Sequence, residues 1–319
     1  VLALALASVA ACSASTATQG SRHLDVVTTV APLTSIAASI GGDRVRVTGL
    51  VPEGQNSHTF EPPPSAAEVI SRADLIIVNG LKLEDPTAEL ARQNKKKGAA
   101  VVALGDRVLP RDQWIYDFSF PKKDGKPNPH LWTDPKYAVR YAQAIHDEYV
   151  ARDPGGKAAY DANLAAFTTA ATALDRAITT ASRTVARRDL LTYHDGFAYF
   201  ARDYGWHVVG AIQPSSFDEP SPREVAALIE QIKAARVPAI FGSEVFPSSV
   251  LAQIGRATGA RYVDTLRDDD LPGKPGDAAH SWLGLMRADF VTMVEGLGGD
   301  ATALKAVPLT PVDDARYPQ

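Results

Sequence analysis

KAAYDANLAAFTTAATALDRAITTASRTVAR, residues 157–187, contains no Gly and no Pro. Tyr160, Leu164, Phe167, Ala171, Leu174, Ile178, Ala181 and Val185 recur at steps of three or four, which draws one apolar stripe down a helix. At about 1.5 Å per residue the segment predicts a helix of roughly 45 Å, the length of a domain rather than of a crossover. A long coiled-coil partner helix is the alternative. What lies on either side favours a rigid spine joining two lobes.

Upstream, apolar strand candidates alternate with helical segments. Asp25–Val30, Val45–Val51, Asp74–Gly80 and Ala99–Leu104 read as strands. Pro32 suits the first turn of a helix that Gly41 and Gly42 stop, Ser65-Ala66-Ala67-Glu68 reads as a capping box, and Asp134-Pro135 as an N-cap followed by a first-turn proline. Downstream the grammar repeats, with strands at Leu190–Tyr193, Val208–Ile212, Ala239–Ser243 and Tyr262–Leu266. A second capping box stands at Ser221-Pro222-Arg223-Glu224, and Gly259 ends a helix that starts near Ser248. The expected class is therefore α/β: two α/β lobes, each with a mainly parallel sheet, bridged by one long rigid helix. The expected boundaries are 23–153 for the first lobe, 154–188 for the linking helix and 189–319 for the second lobe.

Residues 1–22 stand apart. Val1–Ala11 is a run of small and apolar residues too short to span a bilayer, which takes about 20 residues. It reads as the apolar part of a secretory signal. Val9-Ala10-Ala11-Cys12 resembles the bacterial lipobox, in which the cysteine carries lipid, and SASTATQGSR (13–22) reads as a polar tether. The expectation is an exported protein held to the membrane through Cys12. Cys12 is the single cysteine, so neither an intrachain disulfide nor a cysteine-based zinc site can form. A net charge of −4 argues against a nucleic-acid partner.

Any transition-metal site must therefore use imidazole and carboxylate. His58, His130 and His194 fall in loops after apolar segments, and Asp264 lies in Tyr262-Val263-Asp264-Thr265-Leu266. In open α/β sheets ligands bind beyond the carboxyl ends of strands, and two of these residues come from each half. Spacing alone leaves two readings open, a shared metal site between the lobes or separate strand-end histidines with structural roles.

The motifs carry a resemblance. Gly54…His58-Thr59-Phe60-Glu61-Pro62, Asp74-Leu75-Ile76-Ile77-Val78-Asn79-Gly80, Asn128-Pro129-His130-Leu131-Trp132-Thr133-Asp134-Pro135 and His194…Tyr199-Phe200…Tyr204-Gly205 together resemble the solute-binding proteins of zinc and manganese ABC transporters. The likeness runs from about Asp25 to Gly299. It implies two lobes on one long helix and an extracytoplasmic, lipid-anchored receptor, monomeric and without enzymatic activity. Such a receptor captures Zn²⁺, or Mn²⁺ or Fe²⁺ as alternatives, and hands it to a membrane permease with its ATPase. It also implies the ligands, His58 and His130 from the first lobe and His194 and Asp264 from the second. In the family the position of His194 reads as a switch, His in zinc receptors and Glu in manganese receptors.

Three imidazoles and one carboxylate suit tetrahedral Zn²⁺. Glu61 and Glu244 are candidates to support the ligands from behind. No His lies between His58 and His130; the loop 111–129 is instead rich in Pro, Lys and Asp, so the His-rich scavenging loop of many zinc receptors is absent. A zinc hydrolase would need an open coordination position and a base, and no HExxH occurs. Nothing resembles the repeats of an adhesin. Of the other histidines, His23 falls in the tether, His146 on the solvated edge of a helix, His207 packed beside Trp206, and His280 near a helix start within possible reach of the site. Asp268-Asp269-Asp270 reads as a solvated turn rather than a cation cluster.

Overall fold

The computed structural model describes residues 23–213, 220–243, 249–267 and 269–312. The strands are β1 (Leu24–Thr28), β2 (Val45–Gly49), β3 (Leu75–Val78), β4 (Ala100–Ala103), β5 (Asp189–Thr192), β6 (His207–Ala211), β7 (Ala239–Ser243) and β8 (Arg261–Leu266). The helices are α1 (Ala31–Gly41), α2 (Pro64–Arg72), α3 (Asp85–Asn94), α4 (Leu104–Val108), α5 (Pro135–Arg152), α6 (Lys157–Ser182), α7 (Ala198–Tyr204), α8 (Pro222–Ala235), α9 (Ser249–Thr258), α10 (Trp282–Gly296) and α11 (Thr302–Lys305). Two four-stranded sheets form, ordered β2-β1-β3-β4 and β6-β5-β7-β8, with every pairing parallel. The central strands β3 (LIIV) and β7 (AIFGS) are buried along their whole length, as a parallel sheet covered on both faces requires. In each sheet the strand order reverses beside the first strand, which opens a crevice at the carboxyl ends.

The linking helix α6 is shorter than its apolar stripe. It ends at Ser182, after 26 residues or about 39 Å. Thr184 turns its hydroxyl back onto the Ala181 carbonyl and accepts the N–H of Asp300, so the last turn is capped from the side and the chain leaves toward β5. Val185, the final member of the stripe, is buried outside the helix. The Ser65 capping box does not form. Helix α2 begins two residues earlier, with Pro64 as its first residue and Pro63 as N-cap, and Glu68 pairs instead with Arg72. The N-cap at Asp134 and the capping box at Ser221 do form: Asp134 accepts from the Lys136 N–H, and Ser221 and Glu224 cap each other. Helix α3, opened by Asp85-Pro86, went unread in the sequence.

The packing ignores the boundary at residue 189. One apolar core runs from α1 and α5 through α6 into α7 and α10, while two smaller cores fill the outer faces of the two sheets. Trp282, at the start of α10, is buried against Phe167 of α6. Its N–H groups reach the first lobe, the backbone N–H donating to Ser35 Oγ and the indole N–H to the Trp132 carbonyl, both at 2.8 Å. Burying a ring of this size contributes roughly 4 to 6 kcal/mol as an upper bound. The back of the molecule is thus a single packed body.

Candidate metal centre

His58, His130 and His194 stand beyond the carboxyl ends of the sheets, as α/β topology requires of a ligand site. His58 lies within the irregular stretch between β2 and α2, His130 ends the long connection after α4, and His194 lies just past β5. Their Nε2 atoms converge: those of His58 and His194 each lie 3.2 Å from that of His130. Among the described residues, these three form the group whose ligand atoms all fall within 4.8 Å of one another. A tetrahedral zinc with Zn–N bonds of about 2.0–2.1 Å holds its nitrogens roughly 3.3–3.4 Å apart. The two separations at His130 are close to that spacing.

Asn128 sets the tautomer of His130. The Asn128 Nδ2 donates to Asp117 Oδ2 and to the Asp195 carbonyl, so its Oδ1 is the atom that faces His130. That oxygen, which can only accept, lies 2.9 Å from His130 Nδ1; the Nδ1 therefore carries the proton and Nε2 keeps its lone pair for a metal. Phe120 covers the three rings at centroid distances of 5.5, 5.7 and 5.4 Å, and Trp132 lies edge-on to His130. In this dry wall burial holds all three imidazoles below their usual range, with each other's charge adding to the effect at His58 and His130. His194 falls to about 3 despite an opposing hydrogen bond with Gln213. The triad is held neutral, the form that ligates metal.

A seam of hydrogen bonds locks His130 to His194. Besides the Asn128 bond, the Asp195 N–H donates to Ser119 Oγ and Thr133 Oγ1 to the Gly196 carbonyl. The roles of Phe120 and Asn128 were missed in the sequence, although Asn128 stands two residues before His130 within one loop.

Asp264 does not join the three histidines. It lies inside β8 and is exposed, because the strand continues to Leu266 and carries that side chain outward. Among the acids of the second lobe, Asp269 is the one that meets the His58 loop at the residue next to the histidine. It is buried and accepts from the hydroxyl of Ser57, the residue before His58. The described part of the acidic run is therefore no solvated turn: Asp269 and Asp270 are both buried against the His58 loop.

Residues 26–296 match the family described as zinc-uptake complex component A, periplasmic (ZnuA). The chain belongs to the ZnuA family. It is similar to the manganese-binding lipoprotein MntA of Halalkalibacterium halodurans, at 28% identity over 276 residues covering 86% of this chain and 88% of that protein. It is likewise similar to the iron-binding protein YfeA of Yersinia pestis, at 29% over 295 residues and 92% of each. Among solved structures, the Cd-bound periplasmic metal-binding protein from Candidatus Liberibacter asiaticus matches with a TM-score of 0.73 at 27% identity, covering 86% of this chain and 99% of that one. The fold is also that of the periplasmic zinc-binding protein TroA from Treponema pallidum, with a TM-score of 0.77 at 24% identity and the same coverage.

Set beside the ZnuA-family expectations, Glu61 is exposed, whereas Glu244 and Cys12 lie outside the described residues. His146 is not at a solvated edge: it is buried between α5 and α6, with Asp147 and Asp161 on its two nitrogens at 3.0 and 2.8 Å. His207 is exposed, and Trp206 alone packs inward. His280 is buried away from the triad, 3.3 Å from Glu53 Oε1.

Proposed function

We propose that this protein is the receptor of a metal ABC transporter. It captures Zn²⁺ between its lobes and delivers it to a permease driven by an ATPase, while a lipid on Cys12 holds it outside the cytoplasm. The observation that carries this reading is the convergence of three neutral Nε2 donors, from loops of both lobes, at tetrahedral spacing. Imidazole donors select transition metals over Ca²⁺ and Mg²⁺, and within that series favour zinc over manganese. Enclosure by both lobes suits storage and release rather than hydrolysis, which needs an open position for water. Asp269 is proposed as the carboxylate that completes the set, ahead of Asp264. Membership in a periplasmic family and the lipoprotein relatives support the location, and among the described residues no helix is long and apolar enough to cross a membrane. Manganese is the second reading, favoured by the naming of MntA and of the pneumococcal receptor PsaA.

The test is elemental analysis of protein purified without added metal, then competition between Zn²⁺ and Mn²⁺ in wild type, Asp264→Ala and Asp269→Ala. Zinc should be retained and preferred, and Asp269→Ala should weaken it by about a hundredfold, roughly 3 kcal/mol, while Asp264→Ala leaves it unchanged. Preference for manganese sinks the zinc assignment, and failure to retain either metal sinks the receptor. The reverse order of the two variants returns the ligand role to Asp264.

A further inference from the structure

The three histidines are held in unequal ways. His130 and His194 are 0% and 4% exposed and are sewn together by the seam through Asn128, Ser119 and Thr133. Behind them Trp282 pins α10 to the first lobe. Opening the site by swinging whole lobes apart would break that shared core. His58 is different. It is only half-buried, and it hangs on a stretch without regular structure whose internal backbone bonds, Gln55 N–H to Pro52 and Thr59 N–H to Asn56, are both long at 3.3 Å.

Within the stretch the His58 N–H donates to Asn56 Oδ1 at 2.9 Å; its other side-chain anchors come from the second lobe. The Gly54 N–H donates to both carboxylate oxygens of Asp270, at 2.9 and 2.7 Å. Gly54 sits at φ +79°, a conformation glycine adopts without strain. Ser57 donates to Asp269, and His280 meets Glu53 at 3.3 Å. A carboxylate accepting a backbone N–H makes a charge-assisted bond, roughly twice as strong as a neutral one. Asp270 is buried although Gly54 is exposed, so water reaches that bond from one side only.

We propose that Asp270 is a positioning residue, the latch that keeps His58 on the metal by gripping Gly54 across the cleft and so sets how slowly the metal leaves. Release then needs the His58 loop to lift, with His130, His194 and the shared core staying in place. The proposal rests on the receptor reading above.

The experiment uses the full chain loaded with Zn²⁺ alone. Dissociation is followed by stopped-flow transfer to an excess of chelator, alongside amide hydrogen exchange at Gly54 and thermal unfolding of the metal-free form. Asp270→Ala should speed dissociation tenfold or more and expose the Gly54 amide, with the unfolding temperature within a few degrees of wild type. Asp270→Asn keeps one acceptor and should fall between, and it serves as the readable variant if the alanine form does not fold. A loss of general stability would lower the unfolding temperature without singling out the Gly54 amide. Dissociation within twofold of wild type in both variants overturns the latch while leaving the receptor intact. A wild type that retains no metal overturns the receptor reading, and the latch with it.

Discussion

Replacing Asp134 by Asn should stabilise the protein at alkaline pH and do little in acid. Asp134 caps α5 and is 0% exposed; one oxygen accepts from the Lys136 N–H at 2.9 Å. Burial, reinforced by the Asp203 carboxylate of α7, pushes its carboxyl up from the usual 3.8 to about 7, against the opposing bond from Lys136 and that residue's charge. Burial would raise Asp203 too, but Arg202 at 2.6 Å and Asp134 hold it low, so Asp134 is the member of the pair that keeps the proton. The folded state then binds one more proton than the unfolded chain between about pH 4 and 7. Stability from this group is complete at the acid end and is lost as pH rises through 7. Each pH unit is worth about 1.4 kcal/mol, so the interval from pH 4.5 to the folded value near 7 amounts to about 3 kcal/mol, less whatever water penetration relieves. Asn caps a helix as well as Asp does and keeps the oxygen that Lys136 needs. The assay is urea denaturation of both proteins at pH 4.5 and pH 8. The advantage of Asp134→Asn should widen by about 2 to 3 kcal/mol between the two. Parallel pH profiles would refute the reasoning, because they would mean that Asp134 ionises in the folded protein as it does in the open chain.

His194→Glu should weaken zinc and narrow the preference for zinc over manganese by about tenfold, roughly 1.4 kcal/mol, since a hard anionic oxygen replaces a soft nitrogen in a buried site; competition titration at pH 7.5 reads it, and an unchanged ratio would separate this residue from metal choice. Cys12→Ala should release the protein from membranes at unchanged metal affinity, because tether and site are far apart in the chain, and membrane fractionation after expression in a lipoprotein-processing bacterium would expose a variant that stays bound.

The sequence by itself determined the lobes, the helix between them and the loops that carry the histidines. An uninterrupted stripe at helical period and short apolar runs between glycines and prolines are local signals of burial, and they placed α6, β3, β7 and the caps at Asp134 and Ser221. Topology then puts loops such as those of His58 and His194 at the carboxyl ends of strands. Only the tertiary structure decided what the acids do. Asp264 and Asp269 stand a few residues apart in one acidic stretch, and nothing local distinguishes the exposed one from the one buried against Ser57. The same holds for Asp270 on Gly54, a contact 216 residues apart in the chain, and for His146 between two helices. A carboxylate or a lone imidazole has no periodicity to betray its surroundings. Its burial and its partners are set by which distant segment packs over it, and that follows from the two lobes closing on a shared core.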